Sequence, residues 1–448
     1  MPALKLERRL GLFPATNIVV SNMIGAGIFT TSGLLMASLG NPMLMLVLWA
    51  AGGIIAFCGA LSYGELGAAL PGAGGEYYFL SRLFHPVFGF LSGWVSFVAG
   101  FSAPIAASAL GFSEYFTRAV PGTFNLLAGL GAGPGTTKKL LAIIVILLFT
   151  SIHYRGIKYG SKVQNTLTFL KVMLIVILLT TGFLSGRGTF SNIISHGNIP
   201  GGFQGFKTIG LSLMWIMFAY SGWNASTYIG AEIKNPGKIL PRSLLIGTAI
   251  VAILYLGLNT LYLYAVEPEK MKGVISIGGL AMGNLFGKPA EVLFSSLIGF
   301  ALFSSLSAYI IIGPRVYYSM SEDGLFFNSI GKIHPKFGVP SNSILLQSGI
   351  AIIMVLSGTF EQVLTYMGFS LGIFPILTVL SIWKLRKTGQ AYPGMRGFPV
   401  ARIIYVIAGT LILILSFLER PGVSSIAILT ALSGIPVYLI FKKIRSTE

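Results

Sequence analysis

The chain has 448 residues, of which 54% are hydrophobic and 10% are charged, whereas soluble domains carry roughly 25% charged residues. So little charge excludes a water-soluble globular protein, and so many apolar residues exclude a disordered tail, a collagen or a coiled coil. The apolar content is enough for roughly 12 membrane spans of about 20 residues each. The composition therefore predicts an all-α integral membrane protein.

Twelve apolar segments are expected to cross the membrane. The first follows Lys5, Arg8 and Arg9 and runs to about Ala37 without a persuasive cleavage site, so we interpret it as a retained span and not as a signal peptide. The later segments lie at about 42–69, 87–117, 139–153, 163–184, 205–231, 243–266, 290–319, 342–357, 361–383, 400–418 and 423–441. The third and eighth spans are long enough to be strongly tilted.

The distribution of basic residues predicts the orientation. The chain has 31 Lys and Arg against 13 Asp and Glu, a net charge of +18, which in a soluble protein would suggest nucleic acid. With the N-terminus in the cytoplasm, 21 of the 31 basic residues fall in cytoplasmic segments, nine fall on the opposite side, and Lys171 lies within a span. The positive-inside rule then predicts a multi-pass protein of the cell membrane with both termini in the cytoplasm. No nucleic-acid partner is needed to explain the charge.

Two spans have glycine near their centres: Gly25 and Gly27 in the first, and Gly222 in the sixth. The first span opens the chain and the sixth opens its second half, as expected of a five-plus-five inverted repeat with discontinuous helices 1 and 6. The predicted units are a first repeat at 1–187, a second repeat at 203–387, and two additional spans with a cytoplasmic tail at 400–448.

A helix broken at mid-membrane leaves backbone amides and carbonyls unpaired, at several kcal/mol each unless a polar group satisfies them. A zwitterion does so, because its carboxylate meets the N–H groups where one half-helix begins and its ammonium meets the carbonyls where the other ends. The alternative for the Gly-x-Gly sequence is a helix-packing face. A dinucleotide site is excluded because no βαβ unit surrounds these glycines.

Four sets of motifs resemble a known family. They lie at 23–29, at 63–66 with 71–78, at 218–224 and at 232–236. Together they resemble the amino acid–polyamine–organocation superfamily over essentially the whole chain, and the stretch Phe-Ala-Tyr-Ser-Gly-Trp-Asn is most similar to its L-type amino acid transporter branch. The resemblance implies a LeuT-like fold of 12 transmembrane helices, ten of them forming the inverted repeat.

The resemblance also implies a substrate site between the two breaks. The substrate carboxylate would meet the amides around Ala26, and the α-amino group would meet the carbonyls of Met23, Phe218 and Ser221. Phe218 would be an aromatic gate, and Asn224 would lie near the side-chain pocket. Because Ala26 stands where many members have Ser, the carboxylate would depend on backbone donors alone. The full set implied is Met23, Ile24, Gly25, Ala26, Gly27, Phe218, Ala219, Ser221 and Asn224.

Lys171 is expected about 12 Å from the cytoplasmic end of the fifth span. A lysine at this depth should face the helix bundle or a polar cavity, although its side chain is also long enough to extend toward the cytoplasm. The family resemblance implies that it occupies the place of a sodium ion in sodium-coupled relatives, beside the first break and Ser305. A cation there would make transport sodium-independent. The sequence does not distinguish a permanent cation from a proton carrier.

The sequence therefore predicts a sodium-independent secondary transporter of neutral L-amino acids, working by alternating access as an exchanger or proton-coupled symporter. Neutral substrates are favoured because no acid is expected near either break. The alternatives are an amino-acid sensor on the same fold and a transporter of cationic amino acids or amines. An enzyme is excluded because no nucleophile–base pair or metal cluster gathers in the spans, and a channel is disfavoured because no filter motif repeats.

Cysteine and histidine indicate no cofactor or metal. Cys58 is the only cysteine, and the four histidines, which are His85, His153, His196 and His334, have no ligand spacing. Some members of the resembled branch are joined by a disulfide to a single-span heavy chain through the loop after span three. That loop, at about 118–138, has no cysteine, so no disulfide-linked partner is expected at that position.

Overall fold

The computed structural model describes residues 8–120, 122–123, 133–155, 157–194, 197, 201–357, 360–390, 392 and 398–445. Within these ranges the chain is largely helical, and ten helices are long and apolar enough to cross a membrane. The prediction of an all-α membrane protein is confirmed. Lys5, His196 and, within the loop at 118–138, residues 121 and 124–132 lie outside the described residues.

The helices are numbered in chain order. The first half contains α1 (Leu12–Met23), α2 (Ala26–Leu39), α3 (Pro42–Ala69), α4 (Glu76–Leu83), α5 (Pro86–Val95), α6 (Ser102–Ala119), α7 (Pro134–Tyr154) and α8 (Ile157–Leu184). The remainder contains α9 (Gly202–Ala219), α10 (Ala225–Tyr228), α11 (Pro236–Ala265), α12 (Ile277–Phe286), α13 (Lys288–Glu322), α14 (Ser341–Ser357), α15 (Phe360–Lys387), α16 (Pro399–Glu419) and α17 (Pro421–Arg445).

The predicted count of twelve spans is only partly reproduced. The sixth predicted span is divided into α9 and α10, and the ninth corresponds to α14, which has 17 residues. Neither is among the ten helices that meet the length and composition of a span in the described chain. The physical reason is that α9 has only 18 residues, which include Gln204 and Lys207, and α14 has 17, so neither supplies a continuous apolar helix of about 20 residues.

The third span contains an interruption that the sequence did not predict. Between α5 and α6 the chain forms a π-helical turn over Ser96–Gly100, closed by a hydrogen bond of 3.2 Å from Phe101 N to Ser96 O. Such turns often lie at functional sites, and this one borders the cavity described below.

Small residues allow α2 and α9 to approach closely. A Cβ atom on Gly27 would lie 2.5 Å from the Cα atom of Ala219, well inside van der Waals contact. On the next turns of α2, Gly33 approaches the backbone of Val274 in the segment before α12 in the same way. The half-helices α2 and α9 therefore pack directly against each other, as small residues commonly permit in membranes.

On the opposite side, the segment before α1 is joined to the segment after α10. Leu10 forms a parallel β-bridge with Ile233, and three backbone hydrogen bonds of 2.8 to 2.9 Å hold the two segments together. The neighbouring Glu232 accepts a hydrogen bond of 3.1 Å from Arg315 Nε in the C-terminal part of α13. The N-terminal end of α1 and the C-terminal end of α10 are thus connected to each other and to α13.

Candidate substrate-binding site

The first span is discontinuous, as predicted. α1 ends at Met23 and α2 begins at Ala26. Between them Ile24 still bonds back to Val20 O, whereas Gly25 is extended with φ −119°. The first turn of α2 has no side-chain cap, so its amides are available to an anion at the positive end of the helix dipole.

The second break lies between α9 and α10. Gly222 has φ +93°, a conformation that side chains other than glycine rarely adopt. A Cβ atom at this position would also lie 2.8 Å from the carbonyl carbon of Asn22. The two breaks therefore touch, and glycine is required here for its backbone conformation and for the close approach of the first break.

Hydroxyl groups from neighbouring helices satisfy the carbonyls where α1 ends. Tyr309 OH donates to Asn22 O at 2.9 Å, and Tyr255 OH lies 2.5 Å from Met23 O. Tyr255 OH is also 3.0 Å from Ala219 O at the second break. Sequence reasoning missed both tyrosines, because their positions depend on how α11 and α13 pack and no local motif marks them.

Lys171 is 1% exposed and meets the same break. Its Nζ donates to Ile24 O, to Ser21 O at 3.3 Å and to Ser305 Oγ at 2.9 Å. Ser305 Oγ in turn donates to Ile24 O at 2.8 Å. The structure thus brings together Lys171, Ser305 and the first break, and the ammonium does not extend toward the cytoplasm.

The expected depth of Lys171 was too small. The helix begins at Ile157, before the predicted start at residue 163, so Lys171 lies about 21 Å along it and not about 12 Å. The residues before the apolar run are basic and polar, so the apolar pattern did not indicate that the helix had already begun. The lysine is consequently nearer the middle of the helix than the apolar pattern indicated.

A cavity lies beside the second break and has an empty volume of about 750 Å³, including its open mouth. Of the expected substrate-binding residues, Phe218, Ser221 and Asn224 line it. The stretch from Met23 to Gly27 does not line it, nor does Ala219, although the adjacent Asn22 does. Its other walls come from the π-helical turn with the adjoining Phe101 and from α10, α13, α15 and α16, and include Tyr228, Tyr309, Leu371, Pro375 and Tyr405.

The two glycines of the first break differ in their surroundings. Gly27 contacts Ala219, which matches the packing alternative for the Gly-x-Gly sequence. At Gly25 a Cβ atom would make only ordinary van der Waals contacts, with Met23 O and Ser305 Oγ at 3.8 Å. Close helix packing therefore requires glycine at position 27 and not at position 25 in this structure.

The expectation that no acid lies near either break was wrong. Glu76, at the start of α4, is 6% exposed and lines the cavity. Its Oε1 accepts hydrogen bonds from Asn224 Nδ2 at 2.7 Å and Tyr63 OH at 2.9 Å. The sequence concealed this contact because Glu76 and Asn224 are 148 residues apart. Glu76 lies between two spans, and burial raises the pKa of its carboxyl group to about 7.

Comparisons with known proteins agree with this architecture. A family profile described as amino acid permease matches residues 10–441. The serine/threonine exchanger SteT of Bacillus subtilis (strain 168) is 29% identical over 98% of each chain. In Mus musculus, the b(0,+)-type amino acid transporter 1 and the large neutral amino acids transporter small subunit 2 are both 27% identical over 97% of this chain, covering 88% and 81% of those proteins respectively.

Proposed function

Because the chain belongs to the amino acid permease family, and is therefore a multi-pass amino acid transporter and not an enzyme, we propose that it moves neutral L-amino acids by alternating access without sodium. It works as an exchanger or a proton-coupled symporter. The observation that carries this proposal is the Lys171 ammonium, which donates to Ile24 O and Ser305 Oγ beside the first break. The two inverted halves are residues 1–187 and 203–387.

The substrate's charged groups bind at the breaks. The uncapped amides at the start of α2 hold the carboxylate, and the carbonyls of Met23, Phe218 and Ser221 receive the α-ammonium. Met23 O already accepts from Tyr255, and Phe218 O accepts from Ser221 N at 2.9 Å. Each carbonyl oxygen has two lone pairs, so both can accept a second donor. Phe218, on the cavity wall, acts as the gate.

Sodium independence follows from the charge of Lys171. A cation already lies among the carbonyl and hydroxyl oxygens of Ile24 and Ser305, where a second cation would be repelled. We therefore expect uptake into proteoliposomes to be unchanged when sodium is replaced by choline. Uptake that requires sodium would contradict this assignment of Lys171.

The hydrogen bonds of Glu76 support neutral substrates, because its carboxylate accepts from the neutral groups of Tyr63 and Asn224. The names of two relatives refer to serine and threonine and to large neutral amino acids. The alternative of cationic substrates rests on the same buried carboxylate, and competition by lysine and arginine tests it. Counterflow separates a transporter from a sensor, since a sensor moves no substrate.

Both termini are assigned to the cytoplasm of the cell membrane, from the distribution of basic residues. Lys332 and Lys270 are both exposed and fall on opposite sides of this topology. We expect a membrane-impermeant maleimide applied to intact cells to label the variant K270C and not K332C. The native Cys58 is buried, so background labelling is low, and the reverse pattern would invert the topology.

No covalent partner is proposed. Cys58 is the only cysteine in the sequence, and it is buried within α3, so it is not placed to form a disulfide with a heavy chain. The proposed partners are the amino acid substrate and the lipid bilayer.

A further inference from the structure

The carboxylate of Glu76 is buried at the cavity wall without a cationic partner. The hydroxyl group of Tyr63 and the amide of Asn224 donate to its Oε1 atom, and no Lys or Arg forms an ion pair with it in the part of the chain that the structure describes. A carboxylate has about four lone-pair sites. Two donors therefore leave capacity for at least one more.

The Glu76 carboxylate lies on the wall of the cavity in which a substrate side chain would lie. Glu76, Asn224 and Tyr228 all line the cavity next to the second break. Two of the backbone carbonyls proposed to receive the α-ammonium, those of Phe218 and Ser221, precede Asn224 by only a few residues. A substrate held by its α-groups at the breaks would therefore direct its side chain toward this carboxylate.

We propose that Glu76, Asn224 and Tyr228 form a subsite for a hydrogen-bond donor on the substrate side chain, so that hydroxyl-bearing amino acids are preferred over aliphatic ones of the same shape. This inference rests on the function proposed above and adds the residue that selects among substrates. A hydroxyl group fits the subsite because it donates to the carboxylate and accepts from Asn224 or Tyr228. An isosteric methyl group can do neither.

The test compares threonine with valine, which have nearly the same shape, as competitors of labelled substrate in proteoliposomes containing the full chain. In the unsubstituted protein we expect threonine to compete about tenfold better than valine, the effect of one hydrogen bond to a charged acceptor. In the variant Glu76→Gln, which keeps only a weaker neutral acceptor, this ratio should fall several-fold toward one. The matched control is Glu267→Gln, which removes an exposed carboxylate far along the chain and should leave the ratio unchanged.

A purely structural role for Glu76 predicts a different result. The segment before α4 also contacts α10 through a backbone hydrogen bond of 3.1 Å from Gly74 N to Tyr228 O, so Glu76→Gln does not remove the whole connection. Equal loss of threonine and valine binding, with a lower thermal midpoint, would identify Glu76 as a structural contact and overturn the subsite. An unchanged ratio in a folded variant would also overturn it.

The pH dependence of the unsubstituted protein supplies a test that needs no variant. Tyr63 on α3, Tyr228 on α10 and Tyr405 on α16 face Glu76, and phenols stay neutral between about pH 6 and 8. The carboxyl group, with a pKa of about 7, gains a proton over this range and becomes a weaker acceptor. The threonine-to-valine ratio should therefore fall as pH falls, and a constant ratio would contradict the proposal.

Two further outcomes are distinguishable. If no amino acid supports counterflow at any pH, the proposed function fails and not the subsite alone. If lysine competes better than threonine and loses that advantage in Glu76→Gln, the subsite is supported, but its preferred donor is cationic and the neutral specificity proposed above is wrong.

Discussion

Replacing Lys171 with methionine is expected to reduce amino acid transport by at least about tenfold. The substitution keeps most of the side-chain length but removes an ammonium that donates to Ser21 O, Ile24 O and Ser305 Oγ. A hydrogen bond from a charged donor is worth about 1.5–3 kcal/mol, and 1.4 kcal/mol corresponds to a factor of ten. The first break would lose its hydrogen bonds to α8. Counterflow in proteoliposomes measures the resulting reduction in transport.

The matched control is Lys272→Met, which removes an amine from an ion pair of 2.7 Å outside the spans and should leave transport unchanged. Ser305→Ala should give an intermediate defect, because Lys171 would keep its carbonyl partners. If Lys171 also carries a proton, the pH profile of the residual transport should change. Full activity with an unaltered profile in Lys171→Met would show that the contacts at the first break are dispensable.

Replacing Gly27 with valine is expected to abolish transport. Its Cβ atom would lie 2.5 Å from Ala219 Cα and 2.6 Å from Ala219 Cβ, so α2 and α9 would have to separate. Overpacking of this kind typically costs about 1–3 kcal/mol, and here the colliding atoms include backbone. We expect lost counterflow together with a lower thermal midpoint of the purified protein.

The thermal midpoint distinguishes the two interpretations of Gly27. A lower midpoint identifies helix packing as the reason that glycine is needed, whereas an unchanged midpoint with lost binding identifies the carboxylate site. Gly349→Ala in α14 is the control, because an added Cβ atom meets nothing within 4 Å. Normal transport by Gly27→Val would contradict both interpretations.

The sequence predicted the fold where a physical pattern is local. Apolar segments of sufficient length predicted most spans, and glycines at mid-span predicted the discontinuous helices, because each depends on a short stretch of chain. The resemblance to the amino acid–polyamine–organocation superfamily and its L-type branch is confirmed by the family profile and the relatives. The π-helical turn at Ser96–Gly100 was missed because no residue pattern marks it.

Site residues were predictable only when they lay within a motif or differed in charge from the residues around them. Lys171 was noticeable as a charge in an apolar span, and the structure places it against the first break. Tyr255 and Glu76 were not noticeable, because a tyrosine in a membrane helix and an acid at a helix start are both common. Each matters because of a contact that is distant in sequence. Tyr255 is 36 positions from Ala219, and Glu76 is 148 positions from Asn224.

The β-bridge between Leu10 and Ile233 has a consequence for the transport cycle. It joins the outer ends of the two half-helices on the same side of the protein by three backbone hydrogen bonds. If the bridge persists during opening, α1 and α10 move together as one rigid unit, and the ion pair between Glu232 and Arg315 is one of the contacts with α13 that must break. A disulfide engineered between positions 10 and 233 would then permit turnover, whereas one between positions 232 and 315 would arrest it.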